Sequence, residues 1–415
     1  MTTKSKEKPV MVGPMLPGKR IISLDVLRGI AIMGILAANI QISSMIQLAE
    51  VNPTAYGDLT GLNYVVAMLT HILVTRKFWA IFNMLFGAGI VMMSENILSK
   101  GGNPAIRHYP RMFWLFVIGS IHHYLFYPGE ILAYYAVAGL FAYFCRKLSP
   151  KKLLIYGLLF LFLDTSFGVM WQTTMNLRSE ENLKLIEQMW QPNKENVEAE
   201  LSRYRGPWGK DIVYRFKVRR WFIDKNFYIY SIWSVLGRML LGMALFKWGI
   251  LTAARRKKTF RILFYSCFGI GLAVATLAWV LHSLHGWNFK YSQILGYIIT
   301  GWGGIILAVG YIAAIMLICM AGKLKNLADR FAAAGRMAFT NYLMQGVICS
   351  FIFYGYGFGL VGKVERVWQI LIVFAVWIFQ LWYSPLWLKR FRFGPVEWLW
   401  RSLTYWKLQP MKKTS

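Results

Sequence analysis

The stretch that decides the fold is IISLDVLRGIAIMGILAANIQISSMIQL, residues 21–48. Asp25 and Arg28 stand near its start, and from Gly29 to Leu48 no charge interrupts it. A helix needs about 20 mostly apolar residues to cross a hydrocarbon core about 30 Å thick, so this stretch reads as a transmembrane helix. Nine further runs of the same kind follow, at about 78–98, 112–127, 131–145, 153–172, 227–248, 262–283, 293–321, 334–355 and 367–388. The predicted fold is therefore all-α, a polytopic bundle of about ten membrane helices. The shorter apolar stretch from Leu62 to Val74 contains His71 and reads as an interfacial or re-entrant helix on the outer face.

Composition agrees. The 415 residues are 57% hydrophobic and 16% charged, far from the roughly 45–50% and 25% of soluble domains. The net charge of +29 would suggest a nucleic-acid partner in a soluble protein. Here its distribution points elsewhere. With ten spans, one set of alternate connections and both termini carry 29 of the 47 Lys and Arg residues, from Lys4 to Lys413. On the other side, eleven cations lie in one long connection, 173–226, and long segments cross largely regardless of charge. Both termini are thus expected in the cytoplasm, with lipid, not nucleic acid, as the chain's surroundings. Residues 1–20 form a basic tail with no cleaved signal. The chain divides into that tail, a first membrane bundle at 21–172, the outer segment 173–226, a second bundle at 227–388 and a C-terminal tail at 389–415.

The outer segment clusters glutamates between Glu180 and Glu200 and basic-aromatic residues from Arg203 to Lys225. Leu183, Ile186, Met189 and Trp190 have helical spacing, so two short surface helices are expected there, as a cap or a plain connector. Cys145, Cys267, Cys319 and Cys349 all fall in spans or at their inner ends, and no spacing suggests a metal site.

Ionisable groups within membrane spans are costly and usually face a partner, a cavity or a pathway. In SLDVLRG, Asp25 and Arg28 are three apart and share a helix face; they form a capping ion pair or place an arginine on the phosphates of a nucleotide-bearing cofactor. In IHHYLFYPGEIL, His122 and Glu130 lie eight apart, about 12 Å along a continuous helix. Pro128 and Gly129 break that helix and can fold Glu130 back to orient the imidazole as a general base or nucleophile. In GRMAFTNYLMQ, Arg336 stands at the cytoplasmic face, and Asn341 and Gln345 follow in the span. These two, with Asn39 in the first span, can bind a carbonyl or tie helices together. FYGYGFG, 353–359, reads as a glycine-rich outer turn, and GPVEWLWRSLTYWK, 394–407, as an amphipathic helix on the cytoplasmic surface.

Taken in order, LDVLRGIAIMGILAANI, FNMLFGAGI, IGSIHHYLFYPGEIL, LGRMLLGMALFKWGIL, GRMAFTNYLMQ and GPVEWLWRSLTYWK resemble the YeiB-like bacterial membrane proteins, whose C-terminal half is called domain of unknown function 418. The resemblance covers nearly the whole chain. It implies kinship with transmembrane acyltransferases similar to heparan-α-glucosaminide N-acetyltransferase, which carry an acyl group from cytoplasmic acyl-CoA to an acceptor beyond the membrane. On that resemblance His122 is the catalytic imidazole and Asp25 and Arg28 match the first-span signature. Glu130 stands where the family usually has Asp in a GDIL motif. The expectation is an acyltransferase using acyl-CoA as co-substrate without a metal: His122 and Glu130 catalytic, Asp25, Arg28 and Arg336 at the cofactor, and Asn39, Asn341 and Gln345 at the substrate. The acceptor is a sugar, lipid or amine at the outer side. A transporter or flippase for an amphipathic solute is the runner-up, and inverted repeats would favour it; the sole internal echo is GRM at Gly237 and Gly335. A non-catalytic scaffold is the third reading. Gly87, Gly301 and Gly304 fit close packing within one bundle or in a homo-oligomer.

Overall fold

A computed structural model describes residues 21–224 and 227–413, and the cations Lys4, Lys6, Lys8, Lys19 and Arg20 lie outside them. The chain is a membrane-protein helical bundle with no β-strand among the described residues. In order, the helices of the first half are α1 Ile22–Ser44, α2 Gly61–Leu73, α3 Lys77–Leu98, α4 Ala105–Leu125, α5 Leu132–Cys145 and α6 Pro150–Thr173. The connecting segment forms α7 Glu180–Trp190, α8 Lys194–Arg205 and α9 Trp208–Asp224. The second half contains α10 Phe227–Lys247, α11 Lys257–Leu263, α12 Gly269–Leu284, α13 Phe289–Tyr291, α14 Tyr297–Ala321, α15 Lys325–Arg336, α16 Ala338–Phe353, α17 Arg366–Arg390 and α18 Pro395–Tyr405. Single π-helical turns join α11 to α12 and α13 to α14.

Six segments are long and apolar enough to cross a membrane: Ile22–Ser44, Gly61–Leu98, Pro150–Thr173, Lys257–Leu284, Phe289–Ala321 and Arg366–Arg390. The four other expected spans fall on α4, α5, α10 and α16, of which α5 and α16 are apolar helices of 14 and 16 residues. The stretch Leu62–Val74 is the helix α2, separated from α3 by a break at Arg76, whose φ is 71°.

Antiparallel packing gives the bundle two distinct ends. At the basic end lie the start of α1, the α5–α6 turn, the end of α10, and α15 and α18. There Lys247 donates to the carbonyls of Arg146 and Leu148 at 2.7 and 2.8 Å. At the opposite, cap end, the turn 354–362 closes on α1 and α8. Gly362 N–H donates to the Ser44 carbonyl and Gly355 N–H to that of Tyr204, each at 2.8 Å. Buried Arg366 donates to the carbonyls of Pro53, Tyr56 and Asp58 and so ties the α1–α2 connection to α17.

Two of the bundle's close helix crossings are built on glycine. A Cβ on Gly335 would overlap the Asp25 carbonyl, and one on Gly29 would overlap the Phe331 carbonyl, so α1 and α15 meet backbone to backbone. Gly237 on α10 faces Gly157 on α6 less tightly, a Cβ on Gly237 lying 2.8 Å from the Gly157 carbonyl oxygen. The repeated Gly-Arg-Met thus marks two helix crossings, a packing reason for the echo. Of the other small residues, Gly87 meets Met239 and Gly304 meets Arg76, both within the bundle, while Gly301 faces open space.

The connecting segment contains three helices where the sequence spacing predicts two. Ser179 and Asn193 accept from Asn182 N–H and Asn196 N–H as N-caps of α7 and α8, and Gly206 and Pro207 break the chain before α9. The basic-aromatic composition of α9 hides its helical face.

The amphipathic helix α18 packs on α4 and α16. Trp400 Nε1 donates to the Arg111 carbonyl and Trp398 Nε1 to that of Gln409, so both indoles are anchored in protein, while Trp406 is exposed. Glu397 accepts from Phe339 N–H at 2.7 Å, Thr340 N–H at 3.1 Å and the Thr340 hydroxyl at 2.5 Å. A carboxylate thereby satisfies two of the orphan amides at the start of α16. Burial raises the Glu397 carboxyl above its ordinary value, against the lowering pull of these hydrogen bonds. Glu397→Ala is expected to cost about 1–3 kcal/mol and to release α18, read as a lower melting temperature and faster proteolysis beyond Arg390. Unchanged protease resistance would contradict this capping role.

Candidate functional site

The site begins at the cap end of α4. The helix ends at Leu125 because Phe126 leaves helical geometry and Pro128 cannot continue the ladder. The chain then reverses through 127–131 and starts α5 at Leu132. This reversal brings Glu130 back to His122, and Glu130 Oε2 is hydrogen-bonded to His122 Nδ1. Both residues are buried, at 5% and 3% exposure. The other carboxylate oxygen, Oε1, accepts from Leu132 N–H at 2.7 Å and from the Tyr342 hydroxyl at 3.3 Å.

A carboxylate held in this way fixes the imidazole with its Nδ1–H donating, leaving Nε2 with a lone pair. His122 Nε2 has no hydrogen-bond partner and points at Gly346 on α16, where an added Cβ would lie 2.5 Å from it. Beside it is a cavity of about 10 Å³ bordered by Asn39, Ser43, Tyr127, Tyr342, Gln345 and Cys349. That is room for about one water molecule, so anything larger reaches Nε2 only when α1 and α16 part.

The other expected residues divide into two groups. Asn39 and Gln345 border this cavity; Gln345 also donates to the Ile32 carbonyl at 3.2 Å and to Gln380 at 2.9 Å. Asn341 does not border it. Its amide donates to the Ala334 carbonyl and to Ser384, each at 3.1 Å, and Gln380 donates to its carbonyl, so it ties α16 to α15 and α17. At the basic end, Arg28 pairs with Asp25 at 2.8 Å, and the Gly335 crossing sets Arg336 at the same level.

Two further arginines join this corner. Arg111 on α4 lies with its guanidinium 4.4 Å from the Trp400 ring and within electrostatic reach of Arg28 and Arg401. In the sequence Arg111 counts only toward sidedness, and Arg401 is one residue of an amphipathic pattern. Tyr342 was likewise hidden, because its partner Glu130 lies 212 residues away.

The connecting segment covers the His122 end of α4. Arg215 on α9 donates to the carbonyls of His123 and Tyr124 at 3.2 and 3.4 Å, and Trp208 Nε1 donates to that of Leu125 at 2.8 Å. These are the carbonyls a helix leaves without internal partners. Arg215 is held by Asp211 at 2.5 Å, and burial raises the Asp211 carboxyl despite that ion pair.

The family described as "Protein of unknown function (DUF418)" matches residues 245–407, the part that contributes Tyr342, Gln345 and Gly346 to the site. The whole chain also aligns with "Uncharacterized protein YxaH" of Bacillus subtilis (strain 168), at 31% identity over 96% of this chain and 98% of the relative. The chain belongs to the DUF418 family. It is also similar to "Uncharacterized protein YeiB" of Escherichia coli (strain K12), at 28% identity over 96% of this chain and 100% of that one. An "Uncharacterized 39.9 kDa protein in amylase 3'region" of Bacillus acidopullulyticus is 25% identical over 94% of this chain and 96% of its own length. No solved structure matches.

Proposed function

We propose that this chain is an integral-membrane acyltransferase that takes an acyl group from acyl-CoA at the basic end and transfers it to an acceptor hydroxyl or amine at the cap end. The observation that carries the reading is His122, held at Nδ1 by Glu130 and without a partner at Nε2, which abuts Gly346 on the wall of a small cavity. In this reading Nε2 takes the acceptor's proton as the acceptor oxygen or nitrogen attacks the thioester carbonyl. The carbon–sulfur bond then breaks, and the imidazolium returns the proton to the leaving thiolate, giving free CoA. Glu130 stabilises the imidazolium. Asn39 and Gln345 are the amides beside the carbonyl, with Asn341 holding the helices that present them. Arg28, Arg336, Arg111 and Arg401 are cations suited to the CoA phosphates, since guanidinium matches phosphate geometry, and Asp25 orients Arg28. Basic-end residues face the cytoplasm of the bacterial inner membrane in this scheme.

The test is to give the purified full chain, in vesicles made from a bacterial lipid extract, an acyl-CoA labelled in the acyl group. Release of CoA thiol matched by label in a lipid or sugar fraction is the expected result. Movement of an amphipathic solute across the vesicle membrane, with no CoA release, would select the transporter or flippase reading instead.

A further inference from the structure

A second polar cavity lies away from His122, between α3, α6, α10 and α14. It measures about 40 Å³ and is bordered by Arg76, Asp164, Ser234 and Arg238, with Gly301 and Trp302 on its open side. The two guanidiniums and the carboxylate lie within electrostatic reach of one another. Just beyond Arg76, Glu50 lies within its electrostatic reach, and Lys77 adds a cation whose ammonium donates to the His71 carbonyl. Among the residues that line the cavity, two guanidiniums face one carboxylate. Buried charges are strongly unfavourable without partners, and Arg238, only 4% exposed, keeps its Nε without a hydrogen-bond partner.

The two arginines are also held in place. Arg238 donates to the Ser234 carbonyl at 2.9 Å and to its hydroxyl, and its guanidinium lies 4.5 Å from the Trp79 ring. Arg76 has a φ of 71°, unusual for a residue with a side chain, and its guanidinium lies 3.8 Å from the Tyr297 ring. Gly304 leaves space for it, since a Cβ there would stand 3.1 Å from the Arg76 Cβ. The open side lies between α6 and α14. Trp302 spans it with a 3.0 Å hydrogen bond to Thr165, and a Cβ at Gly301 would meet nothing within 4 Å. Phe162 and Tyr297 beside it are exposed, on a surface that faces lipid in a membrane bundle.

We infer that this cavity is a binding site for one phosphate group, that of an anionic phospholipid headgroup arriving sideways from the bilayer. A phosphodiester offers acceptor oxygens and a negative charge to the two guanidiniums of the lining, including the unpartnered Arg238 Nε. The volume admits about three water-sized groups, enough for its non-bridging oxygens while the rest of the headgroup stays in the mouth. The site does not depend on the acyl-transfer reading.

The test uses the full chain in phosphatidylcholine nanodiscs with a minor fraction of phosphatidylglycerol, and counts retained lipids by native mass spectrometry. One phosphatidylglycerol should stay with each native chain. Retention should fall about tenfold or more in Arg238→Gln and in Gly301→Trp, which fills the mouth without touching a charge. Lys147→Gln, at the far basic end, should match the native chain. A parallel arm adds inorganic phosphate to discs of phosphatidylcholine alone. A rise in melting temperature there that Gly301→Trp abolishes, without phosphatidylglycerol retention, supports the site with soluble phosphate as its source. If Arg238→Gln does not fold, Gly301→Trp decides. Equal retention in native chain and Gly301→Trp, with no response to phosphate, overturns the inference.

Discussion

His122→Ala is expected to lower CoA release from acyl-CoA by about 10²–10⁴-fold, the usual contribution of a positioned proton-transfer group. The imidazole, beside the cavity at Gly346, combines a buried carboxylate partner with an unpartnered ring nitrogen. Glu130→Gln should give a loss of similar order, because a neutral amide no longer stabilises the imidazolium. Glu130→Asp retains the charge but shortens the arm by about 1.5 Å, and misplacement of that size costs about 10²-fold. Gly346→Ala would place a methyl group 2.5 Å from Nε2 and should inactivate without altering any titratable group. Acyl-CoA affinity, set at the other end of the bundle, should stay within a few-fold in all four variants. Native turnover in His122→Ala would remove the mechanism.

The second large effect is structural. Gly335→Leu is expected to prevent assembly of the bundle, and Gly335→Ala to destabilise it by about 1–3 kcal/mol or more. The atom in the way is the Asp25 carbonyl oxygen, a backbone atom within α1 that cannot swing aside as a side-chain end can. Thermal scans of detergent-solubilised chain by size-exclusion chromatography should show the alanine variant melting lower and the leucine variant eluting as aggregate. Because the same crossing holds Arg28 and Arg336 level, the alanine variant should also bind acyl-CoA more weakly. A native melting temperature in Gly335→Leu would mean that α1 and α15 separate freely.

The bundle was legible because its signal is local: an apolar run long enough to cross a bilayer announces itself within its own residues. Asp25 with Arg28, and His122 with Glu130, were legible for the same reason, since three residues of helix or one Pro-Gly reversal join each pair. Tyr342 and Gly346 were not, because they reach His122 only where α16 meets the end of α4, a contact between distant parts of the chain that no short stretch encodes. Arg76, Asp164 and Arg238 come from the α2–α3 break, α6 and α10 and carry no shared motif. Asn341 shows the converse: helical spacing placed it with Gln345, but its amide turns to Ala334 and Ser384. The third helix of the outer segment escaped because its aromatic and basic residues alternate without an apolar stripe.

The hydrogen bonds from α9 to the end of α4 make the outer segment and the imidazole one mechanical unit. Trp208 and Arg215 hold the carbonyls of residues 123–125, on the final turn that also carries His122. Were α9 to swing outward, those oxygens would lose their donors and that turn would fray. Uncovering the cap end and slackening the histidine's anchorage would then be a single event, with the position of the imidazole tied to that of α9.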